Sequence, residues 1–148
     1  MLVLVTGATG FLGRRAVPEL QAHHHEVRCL VHTPGRERVF PPRSVDVHYG
    51  SVFDPDALAA AFYDVEVVVH LVGAIRQARG GRTYDRINRE GVVNVLAAAK
   101  DSRVKHFIYV SVIGANRNPS YPYLYSKWRG EQAVVNSGLP YTILQPSI

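Results

Sequence analysis

The sequence predicts a three-layer α/β fold, one parallel sheet with helices packed on both faces. Three observations predict it: six short apolar runs, helical periodicity between them, and a glycine-spaced turn directly after the first run. The runs are residues 2–5, 27–31, 45–49, 65–71, 107–110 and 141–144. They are rich in Val, Ile, Leu and aromatic residues and nearly uninterrupted, as strands covered on both faces should be.

Taken in order, the first strand leads through the glycine turn into a helix near 11–22, and the second strand comes next. The connection from Thr33 to Ser44 carries Pro34, Pro41 and Pro42 and reads mostly as loop. After the third strand, Asp54-Pro55 is a helix-start signal, a capping residue followed by proline at the first helical position, opening a helix near 55–63. Further helices are expected near 83–101 and 121–137, the last stopped by Gly138-Leu139-Pro140. Strands alternating with helices imply right-handed crossovers. Six strands suit the order 3-2-1-4-5-6 of a doubly wound Rossmann sheet, a single domain over 1–148. Residues 143–148 read as the sixth strand and the turn after it. A substrate-binding segment normally comes next in such a fold, so the expectation is that this segment is absent or truncated here.

Composition narrows the function classes. A chain of 148 residues, 47% hydrophobic and 20% charged, is ordinary globular material rather than a disordered tail. The one cysteine, Cys29, excludes an intramolecular disulfide. There is no signal-peptide pattern and no apolar stretch of membrane-spanning length, so the expected location is cytoplasmic. The net charge of +5 invites a nucleic-acid reading. However, the arginines are scattered, and no recognition-helix, RNP or zinc-ligand pattern accompanies them, so no nucleic-acid role is expected. The densest group, Arg76, Arg79, Arg82, Arg86 and Arg89, is either a solvated surface or a contact for an anionic substrate, lipid or partner. His23-His24-His25 reads as a solvated turn, and no metal site is expected.

The turn Gly7-Ala8-Thr9-Gly10-Phe11-Leu12-Gly13 carries the first functional signal. Gly7 permits a tight turn, Gly10 lets the backbone approach a pyrophosphate, and Gly13 lets the helix pack closely on the strand. The phosphates of NAD(P) then meet free N–H groups and the positive end of the helix dipole. The turn comes after a strand and opens a helix, which is the context this motif requires.

The string Thr6 to Gly13 resembles the TGxxGxxG motif of the short-chain dehydrogenase/reductase superfamily, in its extended and atypical branches. Four further stretches agree. The segment from Val69 to Ala74 looks like the fourth strand and the stretch leaving it beside the cofactor, with Leu71, Val72 and Gly73 in contact. Asn88-x-x-Gly91-x-x-Asn94 is similar to the family's fourth-helix pattern, and residues 107–111 to its fifth strand. Tyr123 and Lys127, followed by Gly130-Glu131, resemble the YxxxK active-site helix. The wording is most similar to NAD(P)H-binding proteins related to an accessory subunit of respiratory complex I, and to proteins of the NAD-dependent epimerase/dehydratase type.

Tyr123 and Lys127 stand at i,i+4 and share a helix face. A nearby ammonium lowers a tyrosine pKa, making the hydroxyl a usable proton donor or acceptor. The resemblance implies that the lysine also binds the nicotinamide ribose. Tyr125 and Arg129 repeat the spacing, but arginine does not titrate. In the register adopted, Ser111 is the cofactor-side serine and Val112 replaces the hydroxyl that would polarise a carbonyl; a one-residue shift would restore that serine. The second strand ends at His32 and Thr33, with Arg36 shortly after and no carboxylate for a ribose 2′-hydroxyl. NADP(H) is therefore the expected cofactor, with NAD(H) the alternative. Ser51-Val52 takes the place where the family often has Asp-hydrophobic at the adenine.

Two function classes emerge. One is an NADP(H)-dependent oxidoreductase or epimerase/dehydratase acting on an unknown small molecule with Tyr123, Lys127 and Ser111. The other is a non-catalytic NAD(P)H-binding assembly or sensor protein within a protein complex or homodimer.

Overall fold

The computed structural model describes residues 1–80 and 83–147. Six strands, β1 (Leu2–Thr6), β2 (Glu26–Val31), β3 (Asp46–Tyr49), β4 (Val67–His70), β5 (His106–Val110) and β6 (Tyr141–Leu144), form one sheet in the order β3-β2-β1-β4-β5-β6. All five pairings are parallel, with Val5 opposite both Cys29 and Val69. The chain therefore reverses its direction of travel across the sheet between β1 and β4. The crevice beyond the carboxyl ends of those strands is where open α/β sheets bind ligands.

The helices are α1 (Gly13–Ala22), α2 (Pro55–Ala61), the single turn α3 (Thr83–Asp85), α4 (Gly91–Lys100) and α5 (Pro122–Val135). The proline-rich connection between β2 and β3 is mostly loop, as expected, apart from one 3₁₀ turn at Arg36–Val39. The Asp54 signal works as read, its carboxylate accepting from the backbone N–H of Asp56 and Ala57. The helix expected over 83–101 is not uniform. Residues Arg86–Glu90 form a π-helical turn between α3 and α4.

Both faces of the sheet are covered, but unequally. Leu4, Leu30, Val68 and Phe107 pack against Leu58 of α2, Val92 and Val95 of α4 and Val134 of α5. On the opposite face Val3, Val5, Cys29 and Val31 meet Val17 of α1 and Phe40 of the β2–β3 connection. The alternation of Val3 and Leu4 between two cores explains why the strands read as continuous apolar runs.

One close approach fixes how α5 lies on this core. A Cβ at Gly130 would collide with the Tyr109 hydroxyl and the Asn88 carbonyl oxygen. Gly130→Val should therefore cost on the order of 3 kcal/mol through overpacking. The Tyr109 hydroxyl is buried without a partner among the described residues, so Tyr109→Phe alone should cost little and should recover part of the Gly130→Val loss. Urea denaturation of the three variants checks this, and a Gly130→Val midpoint equal to that of the parent chain would contradict it.

Candidate functional site

The glycine turn is shaped by backbone meeting backbone. Gly7 has φ +76°, and a Cβ there would lie 2.9 Å from both the Leu71 carbonyl carbon and the Val72 nitrogen. A Cβ at Gly13 would collide with Ala8, and one at Gly10 would lie 3.1 Å from the Gly7 oxygen. Gly10 N–H closes the turn on that oxygen at 3.0 Å, and Arg14 Nε donates to the Thr9 carbonyl at 2.9 Å. No side chain caps α1 and no acid stands in its first turn, so the positive end of its dipole faces outward past Phe11 and Leu12, whose side chains are exposed.

Beside this turn lies a cavity of about 730 Å³. Gly7, Thr9, His32, Ser51, Val52 and Val72, all singled out in the sequence, line it. Ser51 Oγ accepts from the Phe53 N–H at 3.2 Å, and Asn94 Nδ2 donates to the Val52 carbonyl at 3.1 Å. Thr33 and Arg36 stand exposed just beyond the end of β2, outside the lining. A carboxylate does occur in that connection: Glu37 accepts from Gly35 N–H at 2.7 Å. Its own backbone N–H, with help from Gly35 and the Tyr49 hydroxyl, holds its pKa below the usual carboxylate value. It is thus already engaged by the loop.

The arginine group divides. Arg79 and Arg86 line the cavity, and Arg76 is exposed. Arg89 bonds Asp85 at 2.8 Å and Glu90 at 3.2 Å, and Arg82 lies outside the described residues. Arg129 also bonds Asp85 and stacks over Tyr125, so the second Tyr/Arg spacing is absorbed in an ion pair. The histidine triplet forms the turn after α1, with His24 at φ +61° and His23 Nδ1 against the Glu19 carbonyl.

Lys127 is 4% exposed. Its Nζ donates to the Val110 carbonyl at 2.8 Å and sits 4.6 Å from the Tyr109 ring centroid. A Cβ at Gly73 would lie 3.6 Å from that Nζ, so the ammonium faces the segment leaving β4. Burial pushes the Lys127 pKa down to about 8, and the Glu131 charge opposes the shift. Tyr123, one turn earlier, is half-buried with its ring 5.5 Å from that of Tyr84. Here the expectation needs correcting. Burial and then Tyr84 raise the Tyr123 pKa, while the Lys127 ammonium is engaged by the Val110 carbonyl and the Tyr109 ring.

Three buried polar atoms near this lysine have no partner among the described residues: Ser111 Oγ, Tyr109 Oη and His70 Nε2. His70 bonds Thr6 Oγ1 at 2.7 Å and stacks on Tyr109. Burial, then the Lys127 charge, lowers its pKa to about 3, so it is neutral. Val112 is buried, and Ile113 after it is 61% exposed. Asn88, which opens the fourth-helix pattern in the sequence, proves central. It is fully buried in the π-helical turn, accepts from Ala74 N–H at 2.8 Å and donates to the Ala74 carbonyl and to Ser126 Oγ, each at 3.0 Å. Ser126 in turn bonds the Tyr123 carbonyl at 2.7 Å. The sequence signal for this link is the fourth-helix pattern Asn88-x-x-Gly91-x-x-Asn94.

Glycine positions that a Cβ would fill, an uncapped helix terminus and unpartnered buried polar atoms fit a dinucleotide. A family model described as NAD(P)H-binding matches residues 7–148. Among curated proteins, the photosystem II assembly factor Ycf39 of Synechocystis is 29% identical over 98% of this chain and 44% of its own length. The ceramide reductase of Caulobacter vibrioides is 32% identical over 98% of this chain and 45% of its own length. Among solved structures, the Bordetella bronchiseptica enzyme WbmG in complex with NAD superposes with a TM-score of 0.83 at 26% identity, covering 98% of this chain and 52% of that one. The chain thus spans about half the length of these relatives.

The buried ammonium has a measurable consequence. Between pH about 8 and 10.5 the unfolded chain holds a proton on Lys127 that the folded chain has released, so stability contributed at this position rises with pH. Below that window the folded state bears a cost on the order of 3 kcal/mol. Lys127→Met should therefore be more stable than the parent at pH 7, with the gap closing as pH rises from 8 to 10. Denaturant titrations across that range test it, and a gap independent of pH would contradict it.

Proposed function

This chain belongs to the NAD(P)H-binding family, and from that premise we propose that it serves an NADP(H)-dependent oxidoreductase or epimerase/dehydratase reaction in which Tyr123 moves the proton. The observation that carries the proposal is the placement of Lys127, its ammonium buried against the segment that leaves β4 at Gly73. A lysine taken out of water at the end of the dinucleotide crevice suits a site that binds polar hydroxyls and charge.

Each residue has a task. Gly7, Gly10 and the N–H groups through Phe11, Leu12 and Gly13 hold the pyrophosphate. Thr9 lies at the same turn, and Ser51 and Val52 bound the adenine end. Leu71, Val72 and Gly73 form the floor beneath the nicotinamide half, where Lys127 binds ribose hydroxyls and Ser111 offers its unpaired hydroxyl. A bound nicotinamide supplies hydride donation or acceptance. The Tyr123 hydroxyl gives a proton to a substrate carbonyl oxygen, or takes one from an alcohol in reverse. Its raised pKa keeps it protonated near neutral pH, which favours the acid role.

NADP(H) is proposed over NAD(H). His32, Thr33 and Arg36 offer donors and positive charge to a 2′-phosphate, and Glu37 is engaged by the loop rather than presented to a ribose. A cytoplasmic setting accords with Cys29, a buried free thiol, and among the described residues no helix is long and apolar enough to cross a membrane.

A second reading is favoured by one observation: Val112 and Ile113 come directly after Ser111, so the turn after β5 presents no hydroxyl beyond it. Losing such a donor costs about 2.7–4 kcal/mol of transition-state stabilisation. In that reading the chain holds NADPH as an assembly or sensing element for a protein partner. An assembly factor among the relatives supports this reading.

Calorimetric titration should show NADPH binding at least about tenfold more tightly than NADH, about 1.4 kcal/mol; equal affinities would remove the NADP(H) preference. In a screen of carbonyl and nucleotide-sugar substrates, Tyr123→Phe, at a residue also expected to contact the cofactor, should lower any turnover by about 100-fold or more, far beyond its effect on NADPH affinity. Unchanged turnover would remove Tyr123 as the acid. Tight NADPH binding with no turnover would favour the holding role.

A further inference from the structure

Phe53 stands between two cavities. It borders the glycine-turn cavity, and also a second one of about 570 Å³ between α2 and α4, lined by Leu58, Phe62 and Ala98 among others. Of these two cavities, Arg86, the first residue of the π-helical turn, borders the glycine-turn one, with its guanidinium carbon 4.3 Å from the centre of the Phe53 ring. The guanidinium therefore covers the face of Phe53 that looks into the glycine-turn cavity.

The platform beneath it is fixed. The Phe53 N–H bonds Ser51 Oγ at 3.2 Å, and its ring edge abuts Gly91, where a Cβ would lie 3.6 Å from Cζ. No carboxylate pairs with Arg86 among the described residues, whereas the neighbouring Arg89 and Arg129 share Asp85. A guanidinium held over an aromatic ring on one side can offer its other side to another planar group. Gly7, Thr9, His32, Ser51, Val52, Ile87 and Arg86 all line this cavity. With the pyrophosphate at the glycine turn and the ribose at the end of β2, as proposed above, Ser51, Val52, Ile87 and Arg86 would be left for the base.

We infer that Arg86, stacked on Phe53, closes the far end of the cavity on the adenine of the bound dinucleotide, as a planar wall that grips the base. The inference rests on the dinucleotide reading. It assigns Arg86 to the base rather than to the 2′-phosphate. A base contact strengthens NADPH, NADH and ADP alike, because all three carry the same adenine.

Calorimetric titration of the chain with NADPH, NADH and ADP tests it, using the parent, Arg86→Ala, Arg86→Lys and Phe53→Leu. Arg86→Ala should weaken all three ligands by a similar factor, about fivefold, within the range of a stacked cation. Arg86→Lys should not restore binding, since a lysine supplies charge without a plane. Phe53→Leu, which leaves the guanidinium without its platform, should weaken all three in the same direction. Unchanged affinities in Arg86→Ala would overturn the inference alone. So would a loss confined to NADPH, which would make Arg86 a 2′-phosphate ligand, or full rescue by Arg86→Lys. A parent chain that binds none of the three would overturn the dinucleotide reading, and this inference with it.

Discussion

The contact between Gly7 and the backbone of Leu71 and Val72 is the constraint on which the rest of the site depends. With no side chain between them, the chain leaving β1 lies directly on the chain leaving β4, within the 2.9 Å that a Cβ would occupy. That contact sits where the strand order reverses, so the crevice opens onto the turn. It also sets the positions of the next residues along the β4 exit. Val72 lines the cavity, Gly73 lies over Lys127, and Ala74 is held by Asn88 through both its N–H and its carbonyl. A larger residue at position 7 would displace this whole segment, not only the phosphate turn.

The second half of the site carries an electrostatic cost. Lys127 is buried with one carbonyl and one aromatic face for company, and its charged form is disfavoured there. Among the described residues, His70 Nε2, the Tyr109 hydroxyl and Ser111 Oγ are left without partners in the same neighbourhood. Unsatisfied buried polar groups are rare in folded proteins. The π-helical turn has a comparable sense. It brings Asn88 inward, where one amide ties the segment after β4 to Ser126 and, through it, to the backbone of Tyr123. The two halves of the crevice are thereby mechanically joined.

Much of this was legible in the sequence, for identifiable reasons. The strands at 2–5 and 27–31 and the strand order came from apolar runs that must be covered on both faces, and Asp54-Pro55 announced α2. The glycine spacing encoded the turn because each glycine answers a separate steric demand. Less legible were features that depend on where side chains point. The i,i+4 spacing of Tyr123 and Lys127 placed them on one face, but it did not show that the ammonium turns toward Val110 or that burial, then Tyr84, raises the Tyr123 pKa. A continuous helical pattern over 83–101 concealed the π-helical turn, since one extra residue per turn leaves no mark in composition. Arg86 read as one member of a basic group. Its stacking on Phe53 joins residues far apart in the chain, which no local pattern reveals. Glu37 carries no such signal, because it is a loop carboxylate and not one at the end of the second strand.

That the glycine turn and the crevice beside it hold a nicotinamide dinucleotide is tested most directly by NMR. The isotopically labelled chain would be titrated with NADPH while its backbone amides are followed. Saturable shifts concentrated at residues 7–13, 71–74 and 51–52 are expected. Saturation with shifts elsewhere, and none in the glycine turn, would contradict dinucleotide binding at this site.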